Sequence, residues 1–169
     1  MSILQGVILG IIQGLTEFLP ISSSGHLVLF QKLFGINEPT LIFDTMVHVG
    51  TLAAVVTVFW GDIIALLKKP FQKLTWLLIA GTIPTGIIGI LFQDYFETMF
   101  KDAKTLGFEF IITGLVILLA ERLGRGRKNV RETSYLDAAF IGVMQGVAIM
   151  PAISRSGLTI AGSLFRDLD

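Results

Sequence analysis

Ten residues between Glu17 and His26 hold an acid, three consecutive hydroxyls, a glycine and an imidazole: Glu17-Phe18-Leu19-Pro20-Ile21-Ser22-Ser23-Ser24-Gly25-His26. They interrupt an apolar setting that runs from Ile3 to Leu19 and resumes from Leu27 to Phe34. Pro20 and Gly25 break helices and free backbone polar groups, and a carboxylate at bilayer depth costs roughly 2.5–3.5 kcal/mol even on lenient insertion scales. Gln13 lies one helical turn before Glu17 and on the same face. Glu17, with Gln13, is therefore placed to ligate a hard divalent cation, Mg²⁺ or Ca²⁺, or to move a proton. A structural pairing of Glu17 with an arginine would also explain a buried acid. Ser22, Ser23 and Ser24 are hydroxyls for chemistry or, equally, N-caps for a helix starting near His26. An imidazole at an apolar helix start is ordinarily a satisfied core group, but the nearby Glu17 and serines make His26 a catalytic candidate.

A second constellation lies at Pro151-Ala152-Ile153-Ser154-Arg155-Ser156-Gly157. A guanidinium stays charged and needs an anion within a membrane, and its fork matches phosphate oxygens. Ser154, Ser156 and Thr159 add hydroxyl donors, and the backbone after Gly157 offers N–H groups at a helix start. A salt bridge from Arg155 to Glu17 is the structural alternative.

The elements that must position these residues belong to a membrane protein. Of 169 residues, 53% are hydrophobic and only 15% charged, with a mean hydropathy of +0.76, against about 25% charged in soluble domains. A formal net charge of zero speaks against a nucleic-acid partner, and the absence of Cys excludes disulfides and thiolate metal sites. The first residues lack a Lys/Arg-led leader and read as mature protein from Met1. Apolar windows predict spans at 41–60, 74–92 and 106–120, with Pro84 kinking the second. The broken stretches 1–34 and 136–165 have halves too short for the roughly 20 residues of a spanning helix and read as re-entrant helix–loop–helix hairpins. Asp44 and His48, four apart near a span's end, read as an interfacial pair, as do Glu121 and Arg122. Lys68, Lys69 and Lys73 in one loop, and Arg122, Arg125, Arg127, Lys128 and Arg131 in another, put 61–73 and 121–135 in the cytoplasm. The balanced loop 93–105 and the first hairpin then face the exterior.

A single ungapped offset, the one that carries Gly10 onto Gly142, aligns Gly10-Ile11-Ile12-Gln13-Gly14 with Gly142-Val143-Met144-Gln145-Gly146. It also places Ser22, Ser24 and Gly25 on Ser154, Ser156 and Gly157. Three intervening spans invert the second copy, giving an all-α membrane domain over 1–169 with inverted-topology repeats. Repeat 1 starts at residue 1 and repeat 2 near 133. Broken helices of such repeats meet near the midplane at the binding site, where Ser23 and Arg155 would face one another. The second copy is followed by far fewer residues than the first, so it reads as incomplete, to be closed by further chain or by a second copy in a homodimer.

The run Glu17 to His26, with Gln13 before it, resembles the first signature of the bacterial undecaprenyl-diphosphate phosphatases, the bacitracin-resistance family. Pro151 to Thr159 resembles the second, with Ala152 where the family usually has Gly. The resemblance implies hydrolysis of a C55 polyprenyl diphosphate to the monophosphate, recycling the lipid carrier for peptidoglycan synthesis, at a plasma-membrane site opening outward. Carried over by position, Glu17 and Gln13 serve the metal and the acid–base chemistry, Ser23 is the candidate nucleophile and His26 the base or acid. Ser154, Arg155 and Thr159 hold the phosphates. The rival reading is an inverted-repeat transporter or flippase using Arg155 to bind an anionic headgroup.

Overall fold

In the computed structural model of the chain, the described residues are 1–36, 38, 40–102, 104–124 and 126–168, the side chains of Lys101 and Asp102 excepted. Arg125 of the basic loop thus lies outside them, as do the Lys101 and Asp102 side chains counted in the charge balance of 93–105. The described residues form nine helices and no strand. They are α1 (Ile3–Thr16), α2 (Ser23–Leu33), α3 (Leu41–Val58), α4 (Trp60–Lys68), α5 (Lys73–Leu91), α6 (Gln93–Asp102), α7 (Leu106–Leu123), α8 (Tyr135–Val147) and α9 (Arg155–Phe165).

Two helices, α3 and α5, have the length and apolar character to cross a membrane. α5 continues through Pro84. α7 is as long as α3 but carries Glu109, Glu121 and Arg122, and it runs to Leu123, past the end expected from its apolar window. The segments read as loops, 61–73 and 93–105, contain α4 and α6, short helices that mix apolar and charged residues. α3 buries none of its residues, and Leu41, Ile42, Ile83, Ile87 and Ile90 are largely exposed. Apolar faces of that extent belong against lipid or another apolar surface rather than water. This is an all-α membrane protein.

The repeat extends to individual caps. Ser2 and Ser134 each cap a helix through a reciprocal capping box, with Gln5 and Asp137. Ser22 and Ser154 each accept the N–H three residues on, from Gly25 and Gly157. At the far ends, Gly35 and Asp167 both adopt the left-handed conformation, φ 66° and 60°. Ile36 N–H then reaches back to Gln31 O, and Leu168 N–H to Ser163 O, each at 2.9–3.0 Å, closing both helices with the same Schellman pattern. Every one of these pairs is related by the same offset that carries Gly10 onto Gly142.

The second hairpin is clasped by two long helices. α8 lies so close to α5 that a Cβ on Gly142 would sit 2.0 Å from Gly81 O. Thr85 hydroxyl donates to Gly142 O at 2.8 Å across this contact. Small residues allow such backbone approach, and van der Waals packing then holds the helices where lipid offers no hydrophobic drive. α9 packs on α7, with Ile153 and Leu158 buried among Ile112 and Val116. At the other end of this hairpin, Asp137 is 1% exposed and paired with Arg166 at 2.6 Å and Lys128 at 3.6 Å.

Candidate active site

Both hairpins turn their breaks toward each other. Ser22 adopts φ 63°, ψ 97°, a region costly for a residue with a Cβ. Two bonds hold it there: its hydroxyl caps Gly25 N–H and donates to Pro151 O at 2.9 Å. Reciprocally, Ser156 hydroxyl donates to Leu19 O at 2.8 Å. Leu19 and Pro151 are equivalent positions of the repeat, so each tip lends a carbonyl to a serine of the other, although the two serines, Ser22 and Ser156, are not themselves equivalent. The contact is tight, because a Cβ on Gly25 would fall 2.8 Å from the Phe110 ring and 2.9 Å from Ala152.

Where the tips meet lies a cleft of about 130 Å³, room on the order of four waters. Glu17, Ser22, Ser23, Ser24 and His48 line one side, and Ser154, Arg155 and Ser156 the other. The chemistry gathers on one atom, Glu17 Oε2. Gln13 Nε2 donates to it at 2.8 Å, Ser23 hydroxyl donates to it at short range, and His48 Nε2 lies 3.8 Å away. Glu17 Oε1 takes no hydrogen bond from a described residue. Gln13 is 0% exposed, and its Oε1 is a buried acceptor with no partner among the described groups. Ser22 takes the capping role, which leaves the hydroxyls of Ser23 and Ser24 on the cleft.

Across the cleft, no described carboxylate lies within ion-pair distance of Arg155, so the bridge to Glu17 weighed as an alternative does not form. Arg155 is the first residue of α9 and is exposed. Ser154 hydroxyl caps Gly157 N–H at 3.0 Å and lies 3.2 Å from that of Ser156. Thr159 stays off the cleft lining and donates along its own helix, to Arg155 O and Ser156 O.

The two histidines differ from the sequence expectation. His26 Nδ1 donates to Ser22 O at 2.7 Å, its ring sits edge-on to Phe110 at 5.3 Å, and it does not line the cleft. His48, read from sequence as half of an interfacial pair, does line it. Its Nδ1 donates to Asp44 O at 2.7 Å; a carbonyl only accepts, so Nε2 is the nitrogen turned to Glu17. Asp44 in turn is held by Gln31 at 2.6 Å and Thr40 at 2.8 Å.

Sequence reading also passed over Glu109 and Thr113 of α7. Glu109 Oε2 accepts Ala152 N–H at 2.8 Å, and Thr105 hydroxyl donates to Oε1 at 2.5 Å. Thr113 hydroxyl donates to Ala152 O at 3.1 Å and accepts Ser154 N–H at 3.2 Å. An acid in an apolar window was the available signal, the same one that singled out Glu17.

A hard cation needs oxygen donors; the cleft lining supplies the unbonded Oε1 of Glu17 and the serine hydroxyls, while Gln13, with its orphaned Oε1, is buried off the lining and reaches the site through its bond to Glu17. Among the described residues no group of three or more His, Cys, Asp or Glu side chains could hold a metal ion. With Glu17 the one described carboxylate on the cleft, a cation there would have to complete its shell with water or substrate oxygens.

Comparison with known proteins agrees with the two signatures. The family model described as bacitracin resistance protein BacA matches residues 6–169. A Carboxydothermus hydrogenoformans protein named undecaprenyl-diphosphatase is 57% identical over 169 residues, covering all of this chain and 65% of its own length. A Halothermothrix orenii protein of the same name is 51% identical over 171 residues, covering all of this chain and 66% of its own. Undecaprenyl-diphosphatase 4 of Bacillus thuringiensis is 52% identical over 169 residues, with 100% and 65% covered. The chain thus spans about 65% of the length of these curated relatives. With the tips of both hairpins inside the matched residues, the chain belongs to the bacitracin resistance protein BacA family.

Proposed function

We propose that the protein hydrolyses undecaprenyl diphosphate to undecaprenyl phosphate and inorganic phosphate, recycling the lipid carrier of peptidoglycan synthesis and conferring bacitracin resistance. The relatives' names support the substrate. One observation carries the chemistry: the Ser23 hydroxyl donates to the Glu17 carboxylate in a cleft whose far wall holds Arg155, with no described carboxylate paired to it. A hydroxyl with its proton on an adjacent base is a nucleophile in waiting, and a guanidinium opposite it is what a phosphoryl group's developing charge needs. An anion carrier would use Arg155 but has no need of a hydroxyl set on a carboxylate.

In this reading Arg155 takes the terminal phosphoryl oxygens through its planar fork, with Ser154 and Ser156 beside it. Ser23 Oγ attacks the terminal phosphorus as its proton passes to Glu17, and the bond to the bridging oxygen breaks. The leaving undecaprenyl phosphate departs as its own stable anion. Once Glu17 has passed that proton on to solvent, water attacks the phosphoserine as Glu17 takes the water's proton and delivers it to the departing Ser23 oxygen, releasing phosphate and restoring the serine. Direct attack by a water held on Glu17 gives the same products. His48, beside Glu17, replaces His26 as the imidazole best placed to share the proton. Glu17 and Gln13, with substrate oxygens, would hold Mg²⁺ or Ca²⁺, which when bound supplies further neutralisation of phosphate charge. The proposal includes a multi-pass plasma-membrane location with the cleft open to the exterior, supported by the lysines and arginines of the two basic loops.

The test is phosphate release from a polyprenyl diphosphate by purified protein in detergent, with and without chelator, beside Ser23→Ala and Glu17→Gln. Release that falls at least 100-fold in Glu17→Gln, and with chelator, is the expected result. No release by the unaltered protein, or full release by Glu17→Gln, would overturn the proposal.

A further inference from the structure

We infer that Glu109 and Thr113 of α7 are positioning residues: they clamp the backbone of Ala152–Ser154 and thereby set where Arg155 enters the cleft. The inference rests on the functional reading above for what Arg155 does, but its geometry stands alone. Glu109 is 3% exposed and Thr113 likewise 3%. A carboxylate buried to that degree among apolar residues is costly unless bonded. Both its oxygens are used, one by Thr105 hydroxyl and one by Ala152 N–H.

One helical turn on, Thr113 bonds the two neighbouring backbone groups, Ala152 O and Ser154 N–H. Three backbone groups of the loop, on Ala152 and Ser154, thus end on two side chains of one helix face, and the next residue in the chain is Arg155. This loop has no helical partners of its own at Ala152 and Ser154 N–H, so side chains must supply them. Among the described residues the equivalent positions of the first hairpin, Pro20 and Ser22, have no such clamp: Pro20 carries no N–H, and Ser22 is held instead by its bond to Pro151 O. Ala152 also abuts Gly25, so a shift at Ala152 moves both tips, Ser23 as well as Arg155.

The bonds, rather than the charge, are the device. Glutamine keeps an oxygen for Ala152 N–H, and its amide can meet the Thr105 hydroxyl as donor. Leucine keeps the volume and loses both.

The experiment uses the protein in lipid nanodiscs and reads two quantities, phosphate release from a polyprenyl diphosphate and hydrogen exchange at the Ala152 and Ser154 amides. Glu109→Gln should stay within about threefold of the unaltered protein in kcat/KM, with both amides protected. Glu109→Leu should lose at least about thirtyfold, with Ala152 exchanging at least about tenfold faster. Should Glu109→Leu fail to fold, Thr113→Val, with about a tenfold loss and fast exchange at Ser154, carries the same test, and Thr113→Ser should restore both. Normal turnover and protection in Thr113→Val, or a Glu109→Gln variant as impaired as Glu109→Leu, would overturn the clamp. If the unaltered protein releases no phosphate, the functional reading falls, while the exchange measurement still decides the clamp by itself.

Discussion

Replacing Gly25 with alanine probes the whole site through one methyl group. An ideal Cβ there falls 2.8 Å from Phe110 Cζ and 2.9 Å from both Ala152 Cα and Cβ. Carbon atoms rest at about 3.5–4.0 Å, so the tips must separate by roughly 1 Å; the Phe110 ring can turn away, but the Ala152 backbone is pinned by α7. Bonds now at 2.9 Å and 2.8 Å, Ser22 to Pro151 O and Ser156 to Leu19 O, would stretch toward the limit of hydrogen bonding. Overpacking costs about 1–3 kcal/mol and each lost bond about 0.5–1.5 kcal/mol, giving on the order of 2–6 kcal/mol of stability. In catalysis a displacement of about 1 Å costs on the order of 100-fold. Phosphate release and a thermal melt in detergent measure the two effects. Gly10→Ala and Gly14→Ala, where a Cβ meets nothing within 4 Å, serve as controls and should cost neither. Gly25→Ala with unaltered activity and melting would refute the close meeting of the two tips, and with it the shared cleft.

Arg155→Lys should lose most activity, because an ammonium point charge cannot reproduce a bidentate fork; near-normal turnover in that variant would remove Arg155 from the phosphate side. The chain has no native Cys, so single cysteines report topology cleanly. One at Thr98 should label from outside intact cells and one at Arg127 only from inside, and labelling of both from one face would defeat the proposed orientation. Asp137→Asn should destabilise the second hairpin by about 1–3 kcal/mol, the range for hydrogen bonds to charged groups, since it weakens the pairings to Arg166 and Lys128 while those partly exposed cations regain water. An unchanged melting temperature would show that the ion cluster contributes nothing.

How much of this site was legible beforehand follows from the range over which each signal acts. Polar residues stand out in an apolar chain because lipid cannot solvate them, so Glu17, the serines and Arg155 announce themselves without coordinates. The repeat offset was equally legible, and it reaches down to matching caps because capping is local: Ser2 and Ser134, Ser22 and Ser154 each act within one helical turn. Tertiary structure alone decided which of the candidates share a cleft. Ser22 to Ser24 were interchangeable as caps until the left-handed turn at Ser22 assigned it the cap and left Ser23 on Glu17. His26 and His48 are both helical imidazoles donating to a carbonyl four residues back; only the packing of α3 against α1 turns one of them to Glu17, while Phe110 takes the other. Glu109 was visible as an acid at depth, but its target, the backbone of a loop 43 positions later, is a property of how α7 lies against the second hairpin. Local chemistry writes caps and breaks into the sequence; the meeting of two tips so distant along the chain depends on packing of whole helix faces, which no single residue records.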